Sequence, residues 1–494
     1  DLIESQVIDA LMDRGNTRDE AYNMFYSGGL EITTTIDPNI QSSLEETYEN
    51  NNNFPGNRKG ANGMPQPQSA MVILDYRTGH IKALVGGRHI TGRKGTNRAI
   101  EPRQPGSTIK PLSVFTPVID TLKQTQSTSY SDAKGGYQFK DNNEWNPNTT
   151  TKGSGSMSLR LALAKSSNTI TVKAAETLGS TYEEAVDVMI DYLKNFGIST
   201  IVDSNTANRG SNDRRFPALT LGGLTKGISP LEMAAAYGTL ANGGTYVEPI
   251  LFTTIKTYDD QLLVKNTPDE NRVVAPEVAY VLTDMLQAVI TEGTGRAAKL
   301  SNRMPVAGKT GTTNNSLDAW FVGYTPYYVG ATYIGDDGGI DPNTGKTIVR
   351  QKVPGTSGSA ARLWATVMNK VHKNLDRIEF KKPDNIYFTK INLYDGGKSS
   401  FGSSAAFIKG TYPSKGYTSY SNVKPQSSEE EEEAPSNPDA GDGATPPDNS
   451  ENSATPPDNS SGVTPPDNSG GATPPNNSGG NTTPPDNSGG NTTP

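Results

Sequence analysis

Ser107 and Lys110 have the residue types and the spacing of a nucleophile and its base. They lie three positions apart in the run 104–111, with a glycine before the serine and a proline after the lysine. If Ser107 opens a helix, the hydroxyl and the amine share one helix face, about one turn apart. The helix start would also leave backbone N–H groups free beside the serine. The pattern predicts covalent acyl transfer, although a surface helix would give the same spacing.

A second candidate run is Ser-Ser-Asn at 166–168, which interrupts an apolar helical pattern. A bend at this point would offer the Ser166 hydroxyl for proton relay and the Asn168 amide for holding a peptide carbonyl. The alternative is structural, because Ser166 or Ser167 could cap the helix that follows.

A third run, Lys309 to Thr312, follows a predicted strand. It is not a phosphate-binding loop, because residues 301–307 contain no glycine. On an edge strand, Lys309 would supply a cation and Thr310 a hydroxyl. Gly311 would keep the strand bare for a pairing substrate backbone, and the Thr312 N–H could stabilise an oxyanion. A β-turn with a surface lysine is the alternative.

Composition excludes several other chemistries. The 494 residues contain no cysteine, and the three histidines, His80, His89 and His372, have no metal-ligand spacing. Thiol nucleophiles, disulfides and thiolate metal sites are therefore excluded, and we expect neither a metal nor another cofactor. The net charge is −8, and the acidic excess lies in residues 426–494, which hold no Lys or Arg. The remaining chain has no basic stripe that would indicate nucleic acid.

The sequence contains no membrane segment of its own. No apolar run reaches the ~18 residues of a membrane helix, and no signal peptide is visible. Because the chain begins at Asp1, we expect a fragment or a processed product, with any membrane anchor upstream.

Hydrophobic periodicity predicts a mixed fold whose sheet is closed by distant segments. Helices are predicted within 1–27 and at 37–50, 158–178, 182–196, 231–241, 276–290 and 358–374. Strands are predicted at 30–36, 70–75, 80–85, 246–256, 262–265, 304–312, 319–324 and 328–334.

Changes in composition predict four regions. Residues 1–65 would form a linker module, 66–380 the main domain and 381–424 a small β-rich module. Residues 425–494 hold five consecutive glutamates and a repeat built on Thr-Pro-Pro-Asp/Asn-Asn-Ser, without an aromatic residue. Because such a sequence cannot build a core, we expect a disordered acidic tail.

The three runs together resemble a known family. Ser-x-x-Lys, Ser-x-Asn and Lys-Thr-Gly occur in the order found in penicillin-binding proteins and class A β-lactamases. The flanks 103–111, 293–298 and 308–326 resemble the class A, bifunctional penicillin-binding proteins, and residues 1–37 resemble their interdomain linker. The resemblance implies the transpeptidase portion without its glycosyltransferase domain. The implied fold is α+β, with an antiparallel sheet flanked by helices and an all-helical subdomain, as in serine β-lactamases.

The resemblance also implies roles for the motif residues. Ser107 would attack the penultimate D-alanine carbonyl of a peptidoglycan stem peptide, and Lys110 would take its proton. Ser166 would relay a proton to the leaving D-alanine, and Asn168 would hold the acyl-side amide.

The Lys-Thr-Gly run would bind the carboxylate end of the stem peptide that donates the acyl group, called the donor below. Lys309, Thr310 and Thr312 would bind the terminal carboxylate, with Gly311 in the same substrate-binding strand. The backbone N–H groups of Ser107 and Thr312 would form the oxyanion hole. An amine from a second stem peptide would then attack the ester, and β-lactams would block Ser107.

Two departures from class A β-lactamases favour transfer over hydrolysis. The middle run is Ser-Ser-Asn, not Ser-Asp-Asn. No glutamate is placed as a deacylation base, since Glu183, Glu184 and Asp187 fit the polar face of a helix. A D,D-carboxypeptidase or a β-lactamase-type hydrolase is the alternative. A non-enzymatic β-lactam sensor is disfavoured because the motif residues are intact.

The implied cellular setting is the bacterial cell wall. The full-length protein would be a membrane-anchored, multifunctional enzyme of wall biogenesis and cell shape, with a glycosyltransferase activity as well. It would act at the extracytoplasmic face of the cell membrane, with the tail in the wall region. Its partners would be stem peptides, β-lactam antibiotics and cell-division or elongation proteins. The binding of β-lactams would link the protein to antibiotic resistance.

Overall fold

The structure, a computed structural model, describes residues 2–60, 63–89, 95–132, 137–138, 144–145, 147, 155–203, 212–340 and 344–413. All of these lie in one unit, Asp1–Ser428. The predicted disorder of residues 425–494 lies outside the described residues.

The described helices match most of the predicted ones. They are α1 (Leu2–Met12), α2 (Arg18–Ser27), α3 (Pro38–Glu49), α4 (Thr116–Asp120), α5 (Leu159–Lys165), α6 (Asn168–Glu176), α7 (Tyr182–Asn195), α8 (Phe216–Leu221), α9 (Pro230–Ala241), α10 (Pro276–Thr291) and α11 (Thr356–Val371). Within the described ranges, none is both long and apolar enough to cross a bilayer.

The strands fall into one main sheet and several small pairs. They are β1 (Glu31–Thr34), β2 (Arg58–Lys59), β3 (Pro65–Gln66), β4 (Gln68–Asp75), β5 (His80–Val85), β6 (Ser129–Tyr130), β7 (Tyr137–Gln138), β8 (Glu144–Trp145), β9 (Met157–Ser158), β10 (Thr245–Val247), β11 (Phe252–Lys256), β12 (Leu262–Lys265), β13 (Glu270–Arg272), β14 (Ala307–Thr312), β15 (Asp318–Tyr324), β16 (Val329–Gly335), β17 (Gly339–Ile340), β18 (Thr347–Ile348), β19 (Ile386–Ile391) and β20 (Ser403–Ile408).

The main sheet has five antiparallel strands in the order β14-β15-β16-β4-β5. Strands distant in sequence close it, as predicted. Its side chains alternate between two cores, because successive residues of a strand point to opposite faces. In β4, Val72 packs with α9 and α10, whereas Met71 and Ile73 pack with α11 and α3. Strand β14 is an edge strand, so one side of it is unpaired within the sheet.

An all-helical part built from α4 to α8 packs on the first of these cores. Val118, Leu163, Val172, Met189 and Leu219 belong to the same buried cluster as the strand residues. The α+β fold, with a flanked antiparallel sheet and a helical part, is therefore confirmed. The junction between the sheet and the helical part is where the candidate residues meet.

The N-terminal module has a small core of its own. Val7, Leu11 and Ala21 pack against Phe252 and Ile255. The strands pair in the order β1-β11-β12, so residues 1–65 complete this core with strands from later in the chain. The predicted strand at 246–256 is in fact two strands, β10 and β11, because Pro249 lies between them and cannot donate a ladder hydrogen bond.

The β19–β20 hairpin is attached to the helical part through Asp284 on α10. One carboxylate oxygen of Asp284 accepts from Arg160 Nη1 at 2.7 Å, from Gln126 Nε2 at 2.9 Å and from the Ala406 N–H at 2.9 Å. Asp284 is 8% exposed and Arg160 5%. This buried charge cluster joins α5, α10 and β20.

We predict that Asp284→Ala lowers the free energy of unfolding by about 3–5 kcal/mol, because it leaves the Arg160 guanidinium buried without its main partner. The measurement is the urea unfolding midpoint. Glu46→Gln is the control: it breaks the exposed Lys370–Glu46 pair and should cost about 0–1 kcal/mol. Equal losses in the two variants would contradict the prediction.

Candidate active site

Ser107 lies in a tight 3₁₀ turn, Gly106–Thr108, that leads towards α4. Gly106 has φ +51°, and a Cβ on it would lie 2.8 Å from the Thr312 carbonyl oxygen. Glycine is therefore required at this position, both by its conformation and by the close approach of β14. The turn is also anchored by the Trp320 indole, which donates to Gln104 O at 2.8 Å.

The helix after Ser107 differs from the predicted α-helix. Residues Pro111–Phe115 form a π-helical turn before α4 begins. Thr116 donates its N–H to Pro111 O, five residues back. The reason is Pro117, which has no N–H to donate and whose ring would clash with the carbonyl four residues earlier in a regular α-helix. Ser107 and Lys110 themselves are joined through the preceding 3₁₀ turn, Gly106–Thr108.

The two serines of the Ser-Ser-Asn run have different structural positions. Ser166 ends α5 in a left-handed conformation, φ 58° and ψ 36°. Ser167 caps α6, accepting from the Ile170 N–H at 3.3 Å. The capping alternative is thus correct for Ser167, while Ser166 is held in a conformation that costs a non-glycine residue about 1–3 kcal/mol.

Lys110 is directed at this run. Its ammonium nitrogen lies 2.9 Å from Ser166 O, 2.5 Å from Asn168 Oδ1 and 3.5 Å from Ser166 Oγ. No hydrogen bond links the Lys110 and Ser107 side chains in the described part of the chain. Lys110 is fully buried.

Lys309 approaches Ser166 from the sheet. Its nitrogen donates to Ser166 Oγ at 2.8 Å and to Thr310 O at 2.9 Å. The single hydroxyl of Ser166 therefore lies between two buried lysine nitrogens. The sequence predicted the residues of this cluster, and the structure brings them together from three segments.

Burial sets the protonation of both lysines. It lowers the pKa of Lys309 to about 7. Burial first, and the neighbouring Lys309 second, hold the pKa of Lys110 well below its usual value. Neither lysine forms an ion pair with the residues described, so no opposite charge offsets the cost of a buried positive charge.

Gly311 has a packing role that differs from the predicted one. A Cβ on it would lie 2.6 Å from Pro105 O and 2.8 Å from Thr108 Cγ2. The absent side chain thus lets β14 pack against the turn that carries Ser107. A contact of Gly311 with substrate backbone stays a prediction.

Thr294 is a site neighbour to which sequence reasoning gave no role. Its hydroxyl lies 2.5 Å from the Thr310 hydroxyl, and its N–H donates to Ala164 O at 3.1 Å. Thr294 lies in the run 293–298, one of the flanks that resemble class A penicillin-binding proteins, but that resemblance assigns no function to the run.

Asp318 fixes the loop after Thr312. It is 2% exposed and accepts from the Thr313 hydroxyl at 3.0 Å, from Tyr333 OH at 3.0 Å and from Arg350 Nη2 at 2.5 Å. The loop therefore keeps a defined position beside the cleft.

Ser107 opens into a cleft of about 1070 Å³. Asn168 and Thr312 also line it, whereas Lys110, Ser166 and Lys309 lie behind this surface. Glu183, predicted to lie on the polar face of a helix, is exposed on α7 and forms part of the cleft wall. The cleft thus reaches the lysine cluster through Asn168, which lines it and accepts from Lys110.

Comparison with known sequences identifies the family. Residues 69–347 match the family described as "Penicillin binding protein transpeptidase domain". The chain is 33% identical over 387 residues to penicillin-binding protein 1A of Clostridium botulinum (strain Hall), covering 76% of this chain and 43% of that protein. It is 35% identical over 379 residues to penicillin-binding protein 1A of Clostridium tetani, covering 74% of this chain and 45% of that protein. The chain thus spans less than half the length of these relatives.

Solved structures show the same fold. Penicillin-binding protein 1A from Haemophilus influenzae aligns with a TM-score of 0.65 at 21% identity, covering 84% of this chain and 77% of that one. The PonA1 protein from Mycobacterium tuberculosis, in complex with penicillin V, aligns with a TM-score of 0.60 at 23% identity, covering 77% of this chain and 95% of that one. The chain belongs to the penicillin-binding protein transpeptidase family.

Proposed function

We propose that this chain is a serine D,D-transpeptidase that cross-links peptidoglycan stem peptides through an acyl-enzyme on Ser107. The observation that carries the proposal is the pair of buried lysines that share the Ser166 hydroxyl behind the cleft that Ser107 lines. Family membership supports the reaction class.

Lys110 is the base in this proposal. A neutral amine has two N–H groups and one lone pair. The two N–H groups are used by Ser166 O and Asn168 Oδ1, so the lone pair is left to accept a proton. The Ser107 hydroxyl gives its proton to Lys110 as its oxygen bonds to the penultimate D-alanine carbonyl. The N–H groups of Ser107 and Thr312 receive the oxyanion, worth about 3 kcal/mol per donor.

Ser166 then returns a proton to the leaving group. Its oxygen accepts from Lys309 at 2.8 Å, which leaves its own O–H to donate to the departing D-alanine nitrogen. Lys110, protonated in the first step, replaces that proton across 3.5 Å. The amide C–N bond breaks, D-alanine leaves, and Ser107 carries the acyl group while Asn168 holds the acyl-side amide.

Lys309, Thr310 and Thr312 bind the terminal carboxylate of the donor. Lys309 supplies the positive charge and the threonine hydroxyls supply donors. An amine of a second stem peptide then attacks the ester, gives up a proton and releases Ser107 with a new peptide bond.

The whole protein extends this activity in our proposal. Because the relatives are more than twice as long as the matched part, we propose a glycosyltransferase domain and a membrane anchor outside this chain. The enzyme would act at the extracytoplasmic face of the cell membrane, with residues 425–494 reaching into the wall. PonA1 binds penicillin V, and we propose that β-lactams acylate this chain as well.

We predict that Ser107→Ala abolishes covalent labelling by a penicillin, because the acylated oxygen is gone. The measurement is the intact-protein mass after incubation. Ser113→Ala is the matched control: this buried serine lies in the same helical segment and donates only to Ile109 O, so labelling should persist. Labelling of Ser107→Ala on another residue would sink the proposed nucleophile.

We predict that acylation by a penicillin has an alkaline limb with a midpoint of about 7, the pKa of Lys309. Above this pH Lys309 loses its proton and no longer attracts the carboxylate. At low pH the rate falls too, because a protonated Lys110 cannot accept the Ser107 proton. The measurement is the second-order acylation rate against pH. The methyl ester of the same penicillin should lack the alkaline limb, and an identical limb for acid and ester would contradict the assignment of Lys309.

We predict that an added D-amino acid diverts a thioester donor from hydrolysis to amide formation in proportion to its concentration. The physical reason is that Asp318, a buried carboxylate among the described residues that line the cleft, is already engaged by Thr313, Tyr333 and Arg350 and is not free to activate water. Product analysis by mass spectrometry gives the ratio. The carboxypeptidase or β-lactamase-type alternative would be supported by a different result. In that case the hydrolysis rate would not change with the amine concentration and would fall in Glu183→Gln.

A further inference from the structure

We infer that Thr294 is a positioning residue that orients the Thr310 hydroxyl towards the carboxylate of the donor. The inference rests on the proposed function and adds a specificity-determining contact to it. Thr294 lies three residues beyond the end of α10, outside the three motif runs.

The backbone around Thr294 is fixed independently of its side chain. The Thr294 N–H donates to Ala164 O at 3.1 Å, and a Cβ on Gly293 would lie 2.1 Å from the same oxygen. The segment is therefore packed against the end of α5, next to Ser166. This leaves the Thr294 hydroxyl free to serve Thr310, at 2.5 Å.

The direction of that hydrogen bond follows from the ligand. Each hydroxyl has one proton, and in the described part of the chain neither has another hydrogen-bond partner. In the free protein either oxygen can be the donor. A carboxylate only accepts, so Thr310 must donate to it and must then accept from Thr294. Thr294 thus gives its proton to Thr310, and Thr310 gives its own to the ligand, an arrangement in which each bond strengthens the next.

The surroundings make Thr294 hard to replace at this task. Thr310 is 4% exposed, and the two N–H groups that its neighbour Lys309 directs at Ser166 Oγ and Thr310 O are not aimed at the Thr310 hydroxyl. Thr294 itself is exposed, so its substitution should leave the core intact. In Thr294→Val a methyl group takes the place of the hydroxyl and keeps a water molecule from donating there instead.

The test compares a penicillin with its methyl ester at a pH where Lys309 is protonated. In Thr294→Val we expect the ratio of acid to ester acylation rates to fall about fivefold, the size of one hydrogen bond between neutral groups. Thr294→Ser should restore the ratio. Thr291→Val, which removes an exposed helix hydroxyl bonded only to Gln287 O, should leave it unchanged. Any loss of folded protein cancels in the ratio.

A double-mutant cycle separates action through Thr310 from direct contact with the ligand. In a Thr310→Val background, Thr294→Val should have no further effect on the ratio. If the two substitutions lower the ratio additively, the inference is overturned. It is also overturned if Thr294→Val lowers the acylation rates of acid and ester equally, or lowers neither. Ser107 labelling that persists in all variants keeps the proposed function intact in those cases. Absence of labelling in the wild-type chain would overturn the proposed function and this inference with it.

Discussion

Two lysine side chains are buried around one serine hydroxyl, and this unfavourable arrangement is the constraint on which the site depends. Lys110 and Lys309 both contact Ser166 Oγ, and neither has a carboxylate partner in the parts of the chain described. In water each would be protonated near neutral pH. Buried together, they cannot both be, because desolvation and mutual repulsion disfavour the second charge. In the proposed mechanism the fold supplies an amine base by withholding the counter-charge that would keep that amine protonated.

Keeping these groups in place falls mainly to backbone packing. The segment before Ser107 pairs with Ile228, since Arg103 and Ile228 exchange two backbone hydrogen bonds of 3.0 and 2.8 Å. Gly222, at φ +83°, would place a Cβ only 2.2 Å from Gly106 O. On the other side a Cβ on Gly106 would lie 2.8 Å from Thr312 O. The nucleophile turn is thus held between the helical part and the edge strand by main-chain atoms, which have little freedom to relax. Side chains at the cleft can then vary without moving Ser107.

The residue types at this site could be predicted from the sequence, whereas their detailed geometry could not. Ser107, Lys110, Ser166 and Lys309 follow from motif chemistry, and the strand that carries Lys309, β14, lies within the strand predicted at 304–312. A helical segment does begin at Ser107, but it opens as a 3₁₀ turn and passes through a π turn before α4. The local pattern does not show the π turn, because Pro117 acts on the hydrogen bonding of the residues before it. Thr294 had no role assigned because its contact with Thr310 joins positions from different elements. Such contacts are set by packing, which a single sequence does not reveal.

In our proposal, the donor carboxylate would supply the negative charge that the protein withholds. In the proposed mechanism it binds beside Lys309, where a proton becomes favourable, because an opposite charge stabilises the ammonium form. A protonated Lys309 in turn disfavours a proton on Lys110, through repulsion across the Ser166 hydroxyl. The one proton that the two lysines can share is then located on Lys309, and the amine beside Ser107 is left neutral. Substrate recognition and base activation would therefore be the same electrostatic event. A ligand without the carboxylate would bind more weakly. It would also fail to keep the proton on Lys309, so Lys110 would not be held in its neutral form.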